Sequence, residues 1–243
     1  DKLALKALAR DAGVPTVPTL AMIDLDDLDL DGHPALQLGR FVIKSNHGWN
    51  DIVLVERLAP GRFGLSGAHL NGQFGTRDAT AEIRRHFRWW IDCFESRDEW
   101  AVDQIARRQV FAEPWLPLTD DYKVQVVGGR AIWVDAHSGR FEANGVYGGT
   151  FDRDWRMLCP VRSARVMADP WGTVRARFPR PDGLATLLAQ AEAVAPADMC
   201  LVRVDFFLQP DGSFVLGEAA VYTNGGRPTH APGAEVALGR LAY

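Results

Sequence analysis

The stretch Leu201-Val202-Arg203-Val204-Asp205-Phe206-Phe207-Leu208, followed by Gln209-Pro210-Asp211-Gly212 and then Ser213-Phe214-Val215-Leu216-Gly217-Glu218-Ala219-Ala220-Val221, decides how this chain is read. Two apolar runs joined by a Pro-Asp-Gly turn form a β-hairpin. By the two-residue period of a strand, Arg203, Asp205 and Phe207 share one face, and Glu218 stands on the partner strand. If Leu208 pairs with Ser213, Asp205 lies opposite Leu216 and diagonal to Glu218, about 7–8 Å away. Two carboxylates on one face of an apolar ribbon repel each other unless a proton or a cation intervenes. Magnesium, which takes oxygen ligands and shares them with phosphates, meets that need. A cross-strand Arg203–Glu218 ion pair with Asp205 in solvent fits the same spacing, so both readings stand.

Working outward, Asp121 to Val127 and Ala131 to Ala136 form a second hairpin around Gly128 and Gly129. Lys123 and Gln125 share one of its faces, either a binding face or a solvated one. The lysines are only Lys2, Lys6, Lys44 and Lys123, all other basic residues being Arg, so a lysine inside an apolar strand invites a chemical reason. Lys44 ends Phe41-Val42-Ile43. An ammonium there needs an anion such as phosphate, or it snorkels to solvent. The following Ser45 to Asn50 offers backbone N–H groups able to close over phosphates. Glu113, before Pro114 in Val110 to Leu116, is either an edge-strand acid or a hinge residue between lobes.

The remaining elements are read in the same way. Lys2 to Asp11 is a helix ended by Gly13 and Pro15. Thr19 to Ile23 and Asp51 to Glu56 are short strands, and residues 60–77, with five glycines, are a loop. Asp78 to about Arg108 is helical, broken near Ser96. Asp182 caps a helix carrying Leu184, Leu187, Leu188, Ala191 and Val194 on one face, with Pro196 as its stop. Helices interleaved with hairpins, without βαβ alternation, predict an α+β fold.

At 243 residues and 47% hydrophobic, the chain can bury a sizeable core. A net charge of −4 gives no global attraction for nucleic acid. The cluster Arg84, Arg85, His86, Arg88, Trp89 and Trp90 shares its helix with Glu82, Asp92 and Glu95, so it reads as a solvated helix with Trp packed inward. Cys93, Cys159 and Cys200 are widely spaced and fit neither a disulfide framework nor a zinc site, which points to a reducing cytoplasm. No run approaches a membrane span, no histidine spacing supports zinc hydrolysis, and no serine elbow is present. The chain opens at Asp1 without Met, directly in helical sequence, as it would if an upstream region had been removed.

Taken in chain order, these pieces resemble the ATP-grasp superfamily, and most closely its TupA-like branch, associated with teichuronopeptide and other surface-polysaccharide biosynthesis. The resemblance is carried by Asp1-Lys2 with Gly13-Val14-Pro15, by Phe41 to Gly48, by Phe111 to Leu116, by Asp121-Tyr122-Lys123, by Asp152 to Trp155, and by Arg203-Val204-Asp205-Phe206 with Gly217-Glu218. It spans nearly the whole chain. It implies one ATP-grasp domain over residues 1–243, with a small nucleotide lobe at 14–112 and a metal and substrate lobe at 113–243, gripping ATP between antiparallel sheets. The implied cofactors are ATP and Mg2+. Lys44 and Lys123 would hold phosphates together with the loop at His47 and Gly48. Glu113, Trp115 and Leu116 would hold adenine, and Asp121 the ribose. Asp205 and Glu218 would bind magnesium, and Arg203 would steady an acyl phosphate and the oxyanion formed from it. The implied reaction joins a small-molecule or sugar carboxylate to an amine-type nucleophile. Ala220 departs from the pattern, standing where an Asn or Thr ligand is usual, so Asn224 would supply that oxygen or the metal would be held less firmly. A kinase of the same fold and a non-catalytic nucleotide-binding module are the competing implications.

Overall fold

A computed structural model describes every residue outside 34–36, 48–50, 68–69, 93–104, 106, 117–119, 139–146, 161–169 and 222–243. The chain divides into two compact units, Asp1–Leu3 with Val17–Leu116, and Ala4–Thr16 with Pro117–Tyr243. Among the described residues each unit holds one six-stranded antiparallel sheet and one hydrophobic core. This is the α+β architecture that the interleaved pattern predicts.

The first helix, α1 (Lys2–Asp11), ends as Gly13 implies. Gly13 adopts φ 71°, its N–H donates to Arg10 O, and the Val14 N–H donates to Ala9 O, a Schellman closure with Ala9 and Val14 both buried.

The sheet of the first unit runs in the order β1 (Ala21–Ile23), β6 (Val110–Pro114), β2 (Arg40–Ser45), β3 (Val53–Ala59), β4 (Arg62–Gly67), β5 (Leu70–Gly75). Residues 60–77 are therefore not a loop. Phe63 and Leu65 alternate into the core, and a Cβ at Gly67 would stand 2.7 Å from Ile52 O. That glycine permits close strand pairing rather than breaking it. Helix α2 (Thr76–Asp92) buries Ile83, Phe87 and Trp90 against this sheet. Trp89 remains exposed, while Arg85 and Arg88 are ion-paired to Glu82 and Asp26. The expected second half of this helical stretch lies largely outside the described residues.

The second unit's sheet runs β10 (Met157–Pro160), β9 (Tyr147–Asp152), β8 (Arg130–Ser138), β7 (Asp120–Val127), β11 (Val202–Leu208), β12 (Phe214–Ala220). Gly128 and Gly129, at φ 54° and 76°, close β7 onto β8 as the paired left-handed residues of a tight hairpin turn. One sheet face, with Tyr122, Val124, Val126, Val204 and Phe206, packs in a common core with Leu184, Leu187 and Ala191 of α4 (Leu184–Val194) and Val174 of α3 (Pro170–Arg177). Asp182 does not cap α4. The helix starts at Leu184, so Gly183 is the N-cap and Asp182 stands one residue too early.

The Asp152 to Trp155 element closes the β9–β10 hairpin. Asp152 Oδ1 accepts from the N–H groups of Asp154 and Arg156. Trp155 takes φ 66°, unusual for a bulky residue. It is held there by stacking on Phe151 at 4.3 Å and by donating its indole N–H to Phe178 O.

The register of the terminal hairpin differs from the expected one. Leu208 pairs with Phe214, Phe206 with Leu216, and then, across a bulge at Gly217, Asp205 stands directly opposite Glu218. The bulge lies where Phe207 covers the backbone, since a Cβ on Gly217 would sit 2.8 Å from Phe207 Cζ.

Candidate active site

The polar residues of the second unit's sheet lie in rows. Thr150, Asp135, Lys123, Asp205 and Glu218 stand opposite one another in turn on β9, β8, β7, β11 and β12. One step along the strands on one side lie Gln125 and Arg203. One step on the other side lie His137 and Asp121. The core face of the same strands is apolar, so the two-residue period alone brings these groups to one surface.

Charge alternates across that surface. The Lys123 ammonium donates to Asp121 Oδ2 and to Asp205 Oδ2, each at 2.8 Å. Arg203 donates to both oxygens of Asp205, Nε at 2.6 Å and Nη2 at 3.0 Å, the planar fork that suits a carboxylate. His137 Nδ1 lies 3.2 Å from Asp121 Oδ1. Burial by itself would raise the Asp121 carboxyl, but His137 and Lys123 outweigh it and hold it well below the usual carboxylate range. Burial also opposes ionisation of Asp205, and Lys123 followed by Arg203 overcomes it, leaving that carboxyl lowered as well. For Arg203 burial again acts against charge, while the charge of Asp205, and after it that of Glu218, pushes its pKa above the ordinary value. Asp205 is thus buried and bridged by two cations rather than exposed. The alternative of an Arg203–Glu218 ion pair with Asp205 in solvent is therefore corrected: Arg203 pairs with Asp205 on its own strand.

Lys123 is not on a solvated face, since its side chain is only 15% exposed. Asp135, Thr150 and His137 were not singled out from the sequence. Asp135 Oδ1 accepts from Thr150 Oγ1 at 2.5 Å and its Oδ2 from Gln125 Nε2 at 3.2 Å. Their signal was available in period two: Asp135 and His137 alternate with buried Val134 and Ala136 along β8.

In the first unit, Lys44 forms an ion pair with Glu113, the two side chains being 12% and 4% exposed. Its ammonium also lies 5.5 Å from the centre of the Phe111 ring. Lys44 pairs with Phe111, and Val42 with Glu113, across β2 and β6, so the ion pair is a diagonal neighbour contact. Strand β6 lies between β1 and β2, and Glu113 is accordingly no edge-strand acid. His47 is buried in the same unit. Its Nε2 donates to Trp90 O at 2.8 Å and its Nδ1 lies 3.3 Å from Asn46 Oδ1. Burial lowers its pKa. The ring fastens the segment after β2 to α2, and Asn46 ties the same segment to Asp1, Arg107 and Gln109. Trp115 and Leu116 follow β6, half-buried. Gly48 and Asn224 lie outside the described residues.

Asp205 and Glu218 stand opposite one another on β11 and β12, two carboxylates of the hard-oxygen kind that magnesium takes when phosphates complete its shell. Among the described residues no three His, Cys, Asp or Glu side chains form a ready-made metal cage. None of the described helices is long and apolar enough to cross a membrane.

No protein-family model matches the sequence, and none of the curated proteins does. Similarity appears among solved structures. The chain superposes on D-alanine–D-alanine ligase from Bacillus anthracis complexed with ATP at a TM-score of 0.53 and 14% identity, covering 98% of this chain and 60% of that one. It is also similar to an N5-carboxyaminoimidazole ribonucleotide synthetase in complex with ADP, at TM-score 0.47 and 14% identity over 93% of this chain and 46% of that one. A third is the D-cycloserine synthetase DcsG, at TM-score 0.46 and 18% identity over 99% and 70%. The chain therefore spans only 46% and 60% of the length of the first two. Two antiparallel six-stranded sheets with their helices, matched over nearly all of the chain to D-alanine–D-alanine ligase, make this an ATP-grasp fold.

Proposed function

We propose that the protein is an ATP- and magnesium-dependent ligase that joins a small-molecule or sugar carboxylate to an amine or related nucleophile. The observation that carries this reading is the buried alternation Asp121, Lys123, Asp205, Arg203, with Glu218 opposite Asp205, on one face of a sheet of ATP-grasp fold. A sheet face so dense in fixed charge is suited to a highly charged ligand and poorly suited to an apolar one.

In this reading Lys44 and Lys123 hold phosphate oxygens, exchanging Glu113 and the aspartates for the ligand, and the backbone around His47 and Gly48 supports them. Glu113, Trp115 and Leu116 flank adenine, and Asp121 meets the ribose. Asp205 and Glu218 hold magnesium, with Asn224 as a further ligand. The metal supplies charge neutralisation on the phosphate oxygens. The substrate carboxylate attacks the γ-phosphorus and ADP leaves. Arg203 then stabilises the negative charge of the acyl phosphate while the amine attacks its carbonyl carbon, loses a proton and expels phosphate. The TupA-like branch, and with it surface-polysaccharide or secondary-metabolite assembly, is the setting the sequence resemblance supports.

The test is phosphate release from MgATP in the presence of a panel of amino-acid and sugar carboxylates, with and without amines. Free phosphate that depends on both substrates supports the ligase. Phosphate retained on the product makes the protein a kinase. Absence of MgATP binding at millimolar nucleotide refutes both enzymes.

A further inference from the structure

The strand that carries Lys44 ends against a buried carboxylate that has no part in the chemistry above. We propose that Asp51 is a positioning residue: it pins the Ser45 backbone and so fixes the strand end from which Lys44 reaches a phosphate. This rests on the reading of Lys44 as a phosphate ligand and adds to it the group that aims it.

Strand β3 pairs with β2 only as far as Val53 opposite Ile43, whereas β2 continues along β6 to Ser45, opposite Val110. Beyond Ile43 the backbone of β2 therefore lacks a β3 partner, and its polar groups must be satisfied in another way. Asp51, two residues before Val53, does this with its side chain. Its Oδ2 accepts from the Ser45 N–H at 2.5 Å. The Ser45 carbonyl accepts from Lys2 Nζ at 3.1 Å, and the same ammonium lies 3.7 Å from Asp51 Oδ1. One ion pair thus holds both the N–H and the C=O of Ser45, through hydrogen bonds of the strong, charge-assisted kind.

Asp51 and Ser45 are fully buried, and the Lys2 side chain is only 13% exposed. A carboxylate at that depth needs a cation beside it, and Lys2 provides one. The hold extends one residue further, where the Lys2 N–H donates to Asn46 O at 2.8 Å and the Asn46 N–H to Gln109 O at 2.9 Å. Ile43 and Ser45 are buried, so by the strand period Lys44 between them projects from the opposite face. The direction of its long side chain follows the backbone on either side. Strand pairing fixes Ile43, and Asp51 with Lys2 fixes Ser45. Misplacing a ligand-holding group by about 1 Å can cost up to about 100-fold, which is why a remote carboxylate matters to the ammonium.

The experiment compares the intact chain with Asp51→Ala, Asp51→Asn and, as a control for stability alone, Ile83→Ala, which opens a cavity in the core of the same unit. Amide exchange of Ser45, followed by NMR without nucleotide, reads the hold on the backbone. Calorimetric titration with MgATP reads the placement of Lys44. Asp51→Ala should speed Ser45 exchange and weaken MgATP binding, each by at least about tenfold. Asp51→Asn keeps an oxygen able to accept the Ser45 N–H and should recover part of both. Ile83→Ala should lower the melting temperature and leave MgATP affinity nearly unchanged. If Asp51→Ala binds MgATP as the intact chain does, the positioning role is overturned while Lys44 keeps its assignment. A control that weakens binding as much as Asp51→Ala, or an Asn variant no better than the Ala variant, would overturn it too. An intact chain that binds no MgATP would refute the phosphate reading itself, and the role of Asp51 with it.

Discussion

Replacing Lys123 with Met removes the one ammonium that bridges Asp121 and Asp205 at 2.8 Å each, while keeping a side chain of similar length. Both carboxylates are only 6% exposed. Arg203 still pairs with Asp205 and His137 still faces Asp121, but the shared cation is gone. Removing one partner of a buried pair costs about 3–5 kcal/mol, which is roughly two to three and a half decades in the folding equilibrium at 1.4 kcal/mol per decade. The assay is urea unfolding at pH 7 and again near pH 3–4. The folded-state pKa values of Asp121 and Asp205 are both depressed, so these groups stabilise the fold above the ordinary carboxylate pKa of about 4 and lose that contribution as pH falls toward the folded values. Lys123→Met forfeits part of it, so the gap between the two proteins should be widest at pH 7 and shrink on acidification. A variant within about 1 kcal/mol of the parent at pH 7, or a gap that widens in acid, would refute the claim that Lys123 neutralises these two acids.

Two further changes probe the geometry around this face. Gly217→Ala places a methyl against the Phe207 ring and should flatten the bulge that sets Glu218 opposite Asp205. The expectation is a stability loss of about 1–3 kcal/mol, together with at least about a tenfold weakening of magnesium-dependent ATP binding, measured by thermal melts and calorimetry. Trp155→Ala should cost about 3 kcal/mol through the lost stack on Phe151. Trp155→Gly should be no worse, despite its smaller side chain, because glycine accepts φ 66° without strain; comparison of the two melting temperatures decides it.

The left-handed ends at Gly13, Gly128 and Gly129 follow from local sterics, and the structure has them as read. Residues 60–77 read locally as a loop because glycine is a breaker by propensity, yet they form β4 and β5. In this sheet Gly67 instead permits a close backbone approach that only the paired strand reveals. The pairing of Lys44 with Glu113 joins positions 69 residues apart, and no local rule connects them. His137 is a lone histidine with no spacing signature, and only the pairing of β7 with β8 brings it to Asp121.

The sequence by itself determined the α+β class, the two hairpins and which face of β7 and β11 carries Lys123, Arg203 and Asp205, because side-chain alternation and turn chemistry act over a few neighbouring residues. Only the tertiary structure decided which of those groups meet. A single bulge residue at Gly217 changes every pairing beyond it, and an ion such as Asp205 takes its state from Lys123, delivered by the neighbouring strand, as well as from Arg203 on its own. Register and long-range electrostatics are properties of the assembled sheet, and no strand read alone contains them.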